Sequence, residues 1–356
     1  MVDTDHPSNH VSRRLAGLPV VRGWRSAIAG AILLFFAAWV VWYVWRHAHE
    51  FTILAGVPLR YLAWLYLFTV ALVYCNGLYI KIILQAFGVN LRWPEWMSLA
   101  VTTSVLNFLT PMRGGAAMRA MYLKARYRFS ITDFVSTLSA TYLMYVVIHG
   151  LIGLAGMVLL WRKGLAFDLP LAAFFGVAVL GSAVLMLCPI TTPPWKTAPF
   201  KQIADILKGW TSLRRNRPAF VSLMAASAAF ALFSAMNVKV ASRAVEVDFS
   251  WGAVLFYTAG NGMALVVTIT PAALGIAEFV SIYMGQALNY NTSQALMIQA
   301  LLRAVPLTFL LVTGPIAFRI LGVGLSGEAC GTARRDVVTP VGLGETTDDS
   351  SRPVVK

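Results

Sequence analysis

Two short stretches carry residue types that stand out from the apolar chain around them. In NFLTPMRGGAAMR, residues 107–119, Arg113 and Arg119 flank Gly115 just after Pro111. In TITPAALGIAEF, residues 268–279, Glu278 follows Pro271 and Gly275. A Pro followed by Gly stops one helix and lets another restart, leaving unpaired N–H groups at the new N-terminus. That terminus carries partial positive charge and attracts anions. Arg adds a planar fork that matches phosphate oxygens. Pro111, Arg113, Gly115 and Arg119 therefore read as a cradle for a phosphate. The blander reading makes 113–128 a cytoplasmic loop whose Arg and Lys side chains reach the headgroups; it is adopted for Lys124, Arg126 and Arg128.

Glu278 lies three residues into the helix restarting at Gly275, inside an apolar run. A carboxylate at membrane depth is a functional candidate by default. Two readings stand beside each other: a gating or proton-coupling group, or a helix cap and structural partner of Arg303 in the last apolar segment. Arg303 is in turn either that partner or part of the anion site. His149 is read as making an interhelical hydrogen bond, with proton relay as its other possible role. Lys81 and Lys239 fall near segment ends and are expected to extend toward the interface. Asp133 is expected to cap the helix that follows it.

Other chemistries find no support. The expected spans hold no His-x-x-x-His, no paired carboxylates and no metal-ligand spacing, and Cys75, Cys188 and Cys330 suggest neither pairing nor metal. No catalytic residue, metal or cofactor is expected.

The elements that must position these residues follow from composition. Hydrophobic residues are 58% of the chain and charged residues 12%, against roughly 25% charged in soluble domains. Uncharged runs approach the ~20 residues that cross the hydrocarbon core. The reading is an all-α integral membrane protein. About six full spans are expected, at 26–45, 61–86, 134–160, 171–190, 219–241 and 294–319. Two further regions, 96–128 and 251–290, are interrupted by Thr-Pro and glycines and read as re-entrant hairpins, giving eight or more helices in all. The segment 96–110 reaches only ~22 Å at 1.5 Å per residue, too short to cross. Trp42, Trp45, Trp93, Trp96 and Trp251 are assigned to interfacial belts.

The formal charge of +14 arises from short basic stretches beside the apolar runs, which points to topology and anionic lipid rather than nucleic acid. Arg13, Arg14, Arg22 and Arg25 precede the first span, and Lys196, Lys201, Lys208, Arg214, Arg215 and Arg217 fill the loop at 191–217. Opposite loops hold only pairs, such as Arg162 with Lys163. By the positive-inside rule both termini are cytoplasmic, in a multi-pass protein of the cell inner membrane. Residues 1–25 form a cytoplasmic segment, 26–321 the membrane domain, and 322–356 a tail expected to be disordered.

Thr270-Pro271 lies 160 residues after Thr110-Pro111, and Gly275 lies the same distance after Gly115. The halves, about 26–160 and 171–319, each read as span, span, broken hairpin, span. Three crossings per half make the second copy inverted, an architecture in which discontinuous helices meet near the midplane of transporters. Glu278 and Arg119 are then expected to face one cavity.

At these residues the chain resembles the membrane domain of the lysylphosphatidylglycerol synthase/flippase family, in its stand-alone flippase-like form. The first family signature, Pro-x-Arg-x-Gly-acid-x-x-Arg, corresponds to Pro111, Arg113, Gly115 and Arg119, with Ala116 in the acid's place. The second, Pro-Gly-Gly-Leu-Gly-x-x-Glu, corresponds to Pro271, Leu274, Gly275 and Glu278, with Ala272 and Ala273 in place of glycines. An Arg in the final span corresponds to Arg303. The likeness covers about residues 25–320. It implies movement of lipid between leaflets, in some members of aminoacylated phosphatidylglycerol. The aminoacyltransferase domain of full-length synthases is not expected here, since only a short polar tail follows the last span.

The function expected is translocation of an anionic phospholipid or lipid-linked headgroup, its phosphate held at broken-helix N-termini by Arg. The competing readings are an integral membrane lipid-modifying enzyme, or a non-transporting partner of a lipid-synthesising enzyme.

Overall fold

A computed structural model of the chain describes residues 56–110, 114–164, 168–187, 216–266, 270 and 273–325. The expected first span at 26–45, most of the 191–217 loop, and Pro111, Arg113, Pro271 and Ala272 lie outside the described residues. So do 1–25 and the tail beyond Leu325.

Nine helices and no strands are present among the described residues. They are α1 (Leu59–Ala86), α2 (Trp93–Leu109), α3 (Gly114–Tyr127), α4 (Ile131–Trp161), α5 (Leu169–Leu187), α6 (Arg217–Ala244), α7 (Trp251–Val266), α8 (Ile276–Ala287) and α9 (Thr292–Leu325). α1, α4, α6 and α9 are long and apolar enough to cross a bilayer; they contain the expected spans 61–86, 134–160, 219–241 and 294–319. α5, in the fourth expected span, is a shorter apolar helix. The chain is an all-α integral membrane protein.

Local signals account for the helix starts. α2 and α6 carry Pro94 and Pro218 in the first turn, where a missing N–H costs nothing. Asn216 accepts from the Ala219 N–H at the start of α6. At α4 the cap is Ser130, whose Oγ accepts from the Thr132 N–H at 3.2 Å. Asp133, expected as the cap, instead occupies the first turn, where its charge suits the helix dipole.

Both broken regions are antiparallel helical hairpins. In the first, Tyr122 and Tyr127 near the end of α3 reach Glu95 at the start of α2. In the second, Ser281 of α8 meets Asn261 of α7. Each hairpin is sheltered by the opposite half: α2 packs on α9, and α7 packs on α4. α1 and α6, which hold the second expected span of each half, pack on each other.

One core gathers around α7 and holds Phe249, Tyr257, Phe175 and Ile298; another holds Leu99, Leu123 and Phe134 around α2 and α3. Outward-facing Leu67, Val177, Leu180, Val221 and Val312 are exposed, as hydrocarbon solvent requires. Trp93 and Trp251 are exposed and fit an interfacial position, but Trp96 is only 2% exposed. Trp96 packs under Tyr74 and against Gly77 of α1, so it is a core residue and not part of a belt.

Candidate functional site

The first break starts where α2 stops. Thr110 leaves helical geometry, and both its N–H and its Oγ donate to the Leu106 carbonyl, at 2.9 and 2.6 Å. The chain resumes as α3 at Gly114. Gly115 is buried, and a Cβ there would overlap the Thr103 carbonyl of α2 and crowd Asn107 Oδ1 at 2.7 Å. Only hydrogen lets α3 lie that close to α2. This contact is the reason glycine stands at 115.

Arg119 follows just over one turn later. Its guanidinium sits over the Phe134 ring of α4, 5.2 Å from the centroid, and lines a cavity of about 300 Å³. Its lining mixes polar residues, Asn76 of α1, Thr103, Ser104 and Asn107 of α2, and Thr141 and Tyr142 of α4, with apolar Ile80, Ile83, Leu84, Phe108 and Leu138. Asn76 Nδ2 donates to Ser104 Oγ at 3.4 Å. Thr103 Oγ1 and Asn107 Oδ1 are buried with no hydrogen-bond partner. Arg119 has no carboxylate partner among the described residues.

The basic residues further along α3 behave differently. Arg126, expected to extend toward headgroups, ion-pairs with Glu95 at 3.0 Å and lies beside the Tyr127 ring. The Tyr122 and Tyr127 hydroxyls also donate to Glu95 Oε1, each at 2.7 Å. Glu95 thus ties the open end of the hairpin together. Lys239 is likewise held, by Asp248 at 2.6 Å and by the Phe249 carbonyl.

At the second break, Thr270 Oγ1 donates to the Leu274 carbonyl at 2.8 Å, and the Ala273 N–H donates to Thr270 O at 3.1 Å. Gly275 has φ of +84°, a left-handed conformation that glycine adopts without steric cost. Its N–H donates to Glu278 Oε2 at 2.7 Å. Glu278 Oε1 forms an ion pair with Arg303 Nη1. Both structural roles considered for Glu278 are therefore occupied at once. Deeper in the hairpin, Ser281 Oγ lies 3.2 Å from Asn261 Oδ1 and 2.9 Å from Gln299 Oε1.

The two sets of charged residues are not brought together. Phe230 and Val266 are the second half's contribution to the described cavity lining, and Gly275, Glu278 and Arg303 are not among the lining residues. Glu278 is turned to Arg303 and not to Arg119's cavity. His149 also differs from expectation. Its Nδ1 bonds to the Tyr145 carbonyl of its own helix at 2.9 Å, while the ring stacks on Tyr145 and abuts Gly262 of α7. The bond is intrahelical.

The sequence reading missed the cavity's polar residues. Thr103, Ser104 and Asn107 recur at helical spacing within an apolar hairpin arm, and that polar stripe was the available signal.

With this geometry in hand, comparison with known families decides kinship. The family profile described as lysylphosphatidylglycerol synthase TM region matches residues 24–314. The chain belongs to that family. No curated protein and no solved structure matched it. Membership in the lysylphosphatidylglycerol synthase TM region family gives the chain a multi-pass membrane setting and a lipid-related role. The matched span covers both hairpins, the cavity and the Glu278–Arg303 pair.

Proposed function

We propose that this protein moves an anionic phospholipid, or a lipid-linked anionic headgroup, between leaflets, with the phosphate received at Arg119. The observation that carries this reading is a guanidinium with no carboxylate partner among the described residues, lining a cavity whose wall mixes polar and apolar side chains. A half-buried Arg without a carboxylate partner is costly in a low-dielectric site, and an incoming phosphate would relieve that cost. The restart of α3 at Gly114 adds backbone N–H groups less than two turns away. Ile80, Ile83, Leu84 and Phe108 offer an apolar wall along which acyl chains could stay in hydrocarbon while the headgroup is polar-solvated.

In this reading the membrane domain spans 26–321, both termini are cytoplasmic in the inner membrane, and the hairpins enter from opposite faces as inverted copies. Arg113 is assigned to the phosphate cradle with Arg119 on sequence grounds. Glu278 and Arg303 fasten the second hairpin, so that one half moves against a braced other half. A lipid-synthesising enzyme is a partner that such a protein would serve.

The test is reconstitution in vesicles with a fluorescent phosphatidylglycerol and quenching from outside. Arg119→Ala should slow lipid exchange about tenfold or more, the scale of one lost charge-assisted contact, with an unchanged melting temperature. Arg119→Lys should retain part of the rate. Wild-type exchange in Arg119→Ala would overturn the reading.

A further inference from the structure

Resting on that reading of Arg119, we infer that the cavity selects a phosphodiester lipid whose headgroup is neutral and hydroxyl-bearing, and discriminates against headgroups that carry an ammonium.

Charge balance is the first argument. The described lining contains Arg119 and no Asp or Glu. A phosphodiester with a neutral headgroup brings one negative charge and no cation to a wall that holds Arg119 and, in the reading above, Arg113. A zwitterionic or aminoacylated headgroup brings an ammonium as well. That ammonium would enter a confined, partly apolar space beside a guanidinium, with no carboxylate in the described wall to receive it. Desolvation and like-charge repulsion then act in the same direction.

Unmet hydrogen bonding is the second argument. Thr103 is 4% exposed, and its Oγ1 has no partner; the same holds for the buried Oδ1 of Asn107. Both residues line the cavity on α2. Buried polar atoms without partners are uncommon and costly. Both atoms are covered in this structure, Asn107 Oδ1 beside Gly115; a hydroxyl that displaces this packing would donate to Asn107 Oδ1 and exchange a bond with Thr103, filling both without adding charge. Thr137 and Thr141, also in the wall, donate to backbone carbonyls at 2.7 and 2.9 Å. Their oxygens keep free lone pairs that a hydroxylated headgroup could use.

Ala116 provides the means to test the charge argument. It lines the cavity three residues before Arg119, so the two share one face of α3. An acid there would neutralise Arg119 and supply a partner for an ammonium.

The experiment uses the full chain purified in detergent, with dioctanoyl phosphatidylglycerol, dioctanoyl phosphatidylethanolamine and sn-glycerol 3-phosphate as probes and calorimetric titration as readout. Phosphatidylglycerol should bind about tenfold or more tightly than phosphatidylethanolamine. Ala116→Asp should reduce that ratio to near one, whereas Ala116→Asn should preserve it. Glycerol phosphate should bind more weakly than phosphatidylglycerol; equal binding would identify the ligand as a soluble phosphate ester and overturn the lipid claim. Equal wild-type affinity for the two lipids overturns the selectivity, whatever the variants do. If phosphatidylglycerol binds equally to wild type and Arg119→Ala, the phosphate site itself is misplaced, which is a separate failure.

Discussion

Arg303, buried in the middle of α9, closes an ion pair on Glu278, whose second carboxylate oxygen accepts the Gly275 N–H that opens α8. One side chain thus caps a helix and anchors it to its neighbour. The two roles can be separated. Glu278→Gln keeps an oxygen for Gly275 but removes the charge, leaving Arg303 buried against a neutral amide. Breaking a buried pair from one side costs about 3–5 kcal/mol; Glu278 is a quarter exposed, which favours the lower end. Glu278→Ala loses the cap too and should be worse by about 1 kcal/mol. The double variant Glu278→Gln/Arg303→Leu should be more stable than the sum of its singles. Melting in detergent checks all of these. If Glu278→Gln melts normally but stops lipid exchange, the carboxylate is a working group and not a brace.

Glycines at the two breaks should respond differently to the same methyl. At Gly275 nothing lies within 4 Å of an added Cβ, so Gly275→Ala incurs only the left-handed backbone cost of about 1–2 kcal/mol. At Gly115 the new methyl meets the Thr103 carbonyl, and the hairpin must open. Overpacking of this kind costs about 1–3 kcal/mol. Because Thr103 is also a cavity wall, Gly115→Ala should weaken phosphatidylglycerol binding as well, and Gly275→Ala should not. Thermal melting with parallel lipid titration distinguishes them. Equal losses of binding in both variants would disconnect the hairpin seam from the site.

The breaks were legible because Thr-Pro and Gly act through local backbone chemistry, at positions 160 residues apart. The long helices were legible from apolar run length. What the sequence concealed was partner choice. Glu95 and Arg126 lie far apart in the chain, and only the antiparallel return of α3 brings them to 3.0 Å. Trp96 looked interfacial by type, yet α1 covers it at Gly77. Thr103 and Asn107 offered only their helical spacing, since nothing local says which neighbour they face. Glu278 with Arg303 was anticipated because a charge at membrane depth leaves few alternatives.

Asp248 is the one carboxylate at the α6–α7 corner with two cationic partners, Lys239 at 2.6 Å and Arg243 at 3.3 Å. The Lys239 hydrogen bond, then that of Arg243, holds its carboxyl below the usual range. A depressed acid contributes stability that is present above its ordinary pKa and lost as pH falls through the folded value. The corner should therefore be insensitive to pH from 5 to 8 and loosen only below about 4. Asp248→Asn should flatten that acid limb in a pH series of melting temperatures. Because Asp248 is exposed, the effect is small, and an unchanged limb in the variant would assign it to other groups.

Charge placement predicts an orientation that thiol labelling can test. The 191–217 loop is dense in Lys and Arg, whereas the α4–α5 connection carries only Arg162 and Lys163. Retention of Lys and Arg on the cytoplasmic side then puts the first loop inside and the second outside. In a background with Cys75, Cys188 and Cys330 replaced, Ser212→Cys should resist a membrane-impermeant thiol reagent on intact cells and react after permeabilisation. Lys163→Cys should react on intact cells. The reverse pattern would flip the molecule and place the Arg119 cavity's hairpin on the opposite face. Reaction at both positions in intact cells would mean that α5 does not cross. In that case the second half would not be inverted relative to the first, and the symmetric two-hairpin mechanism would lose its geometric basis.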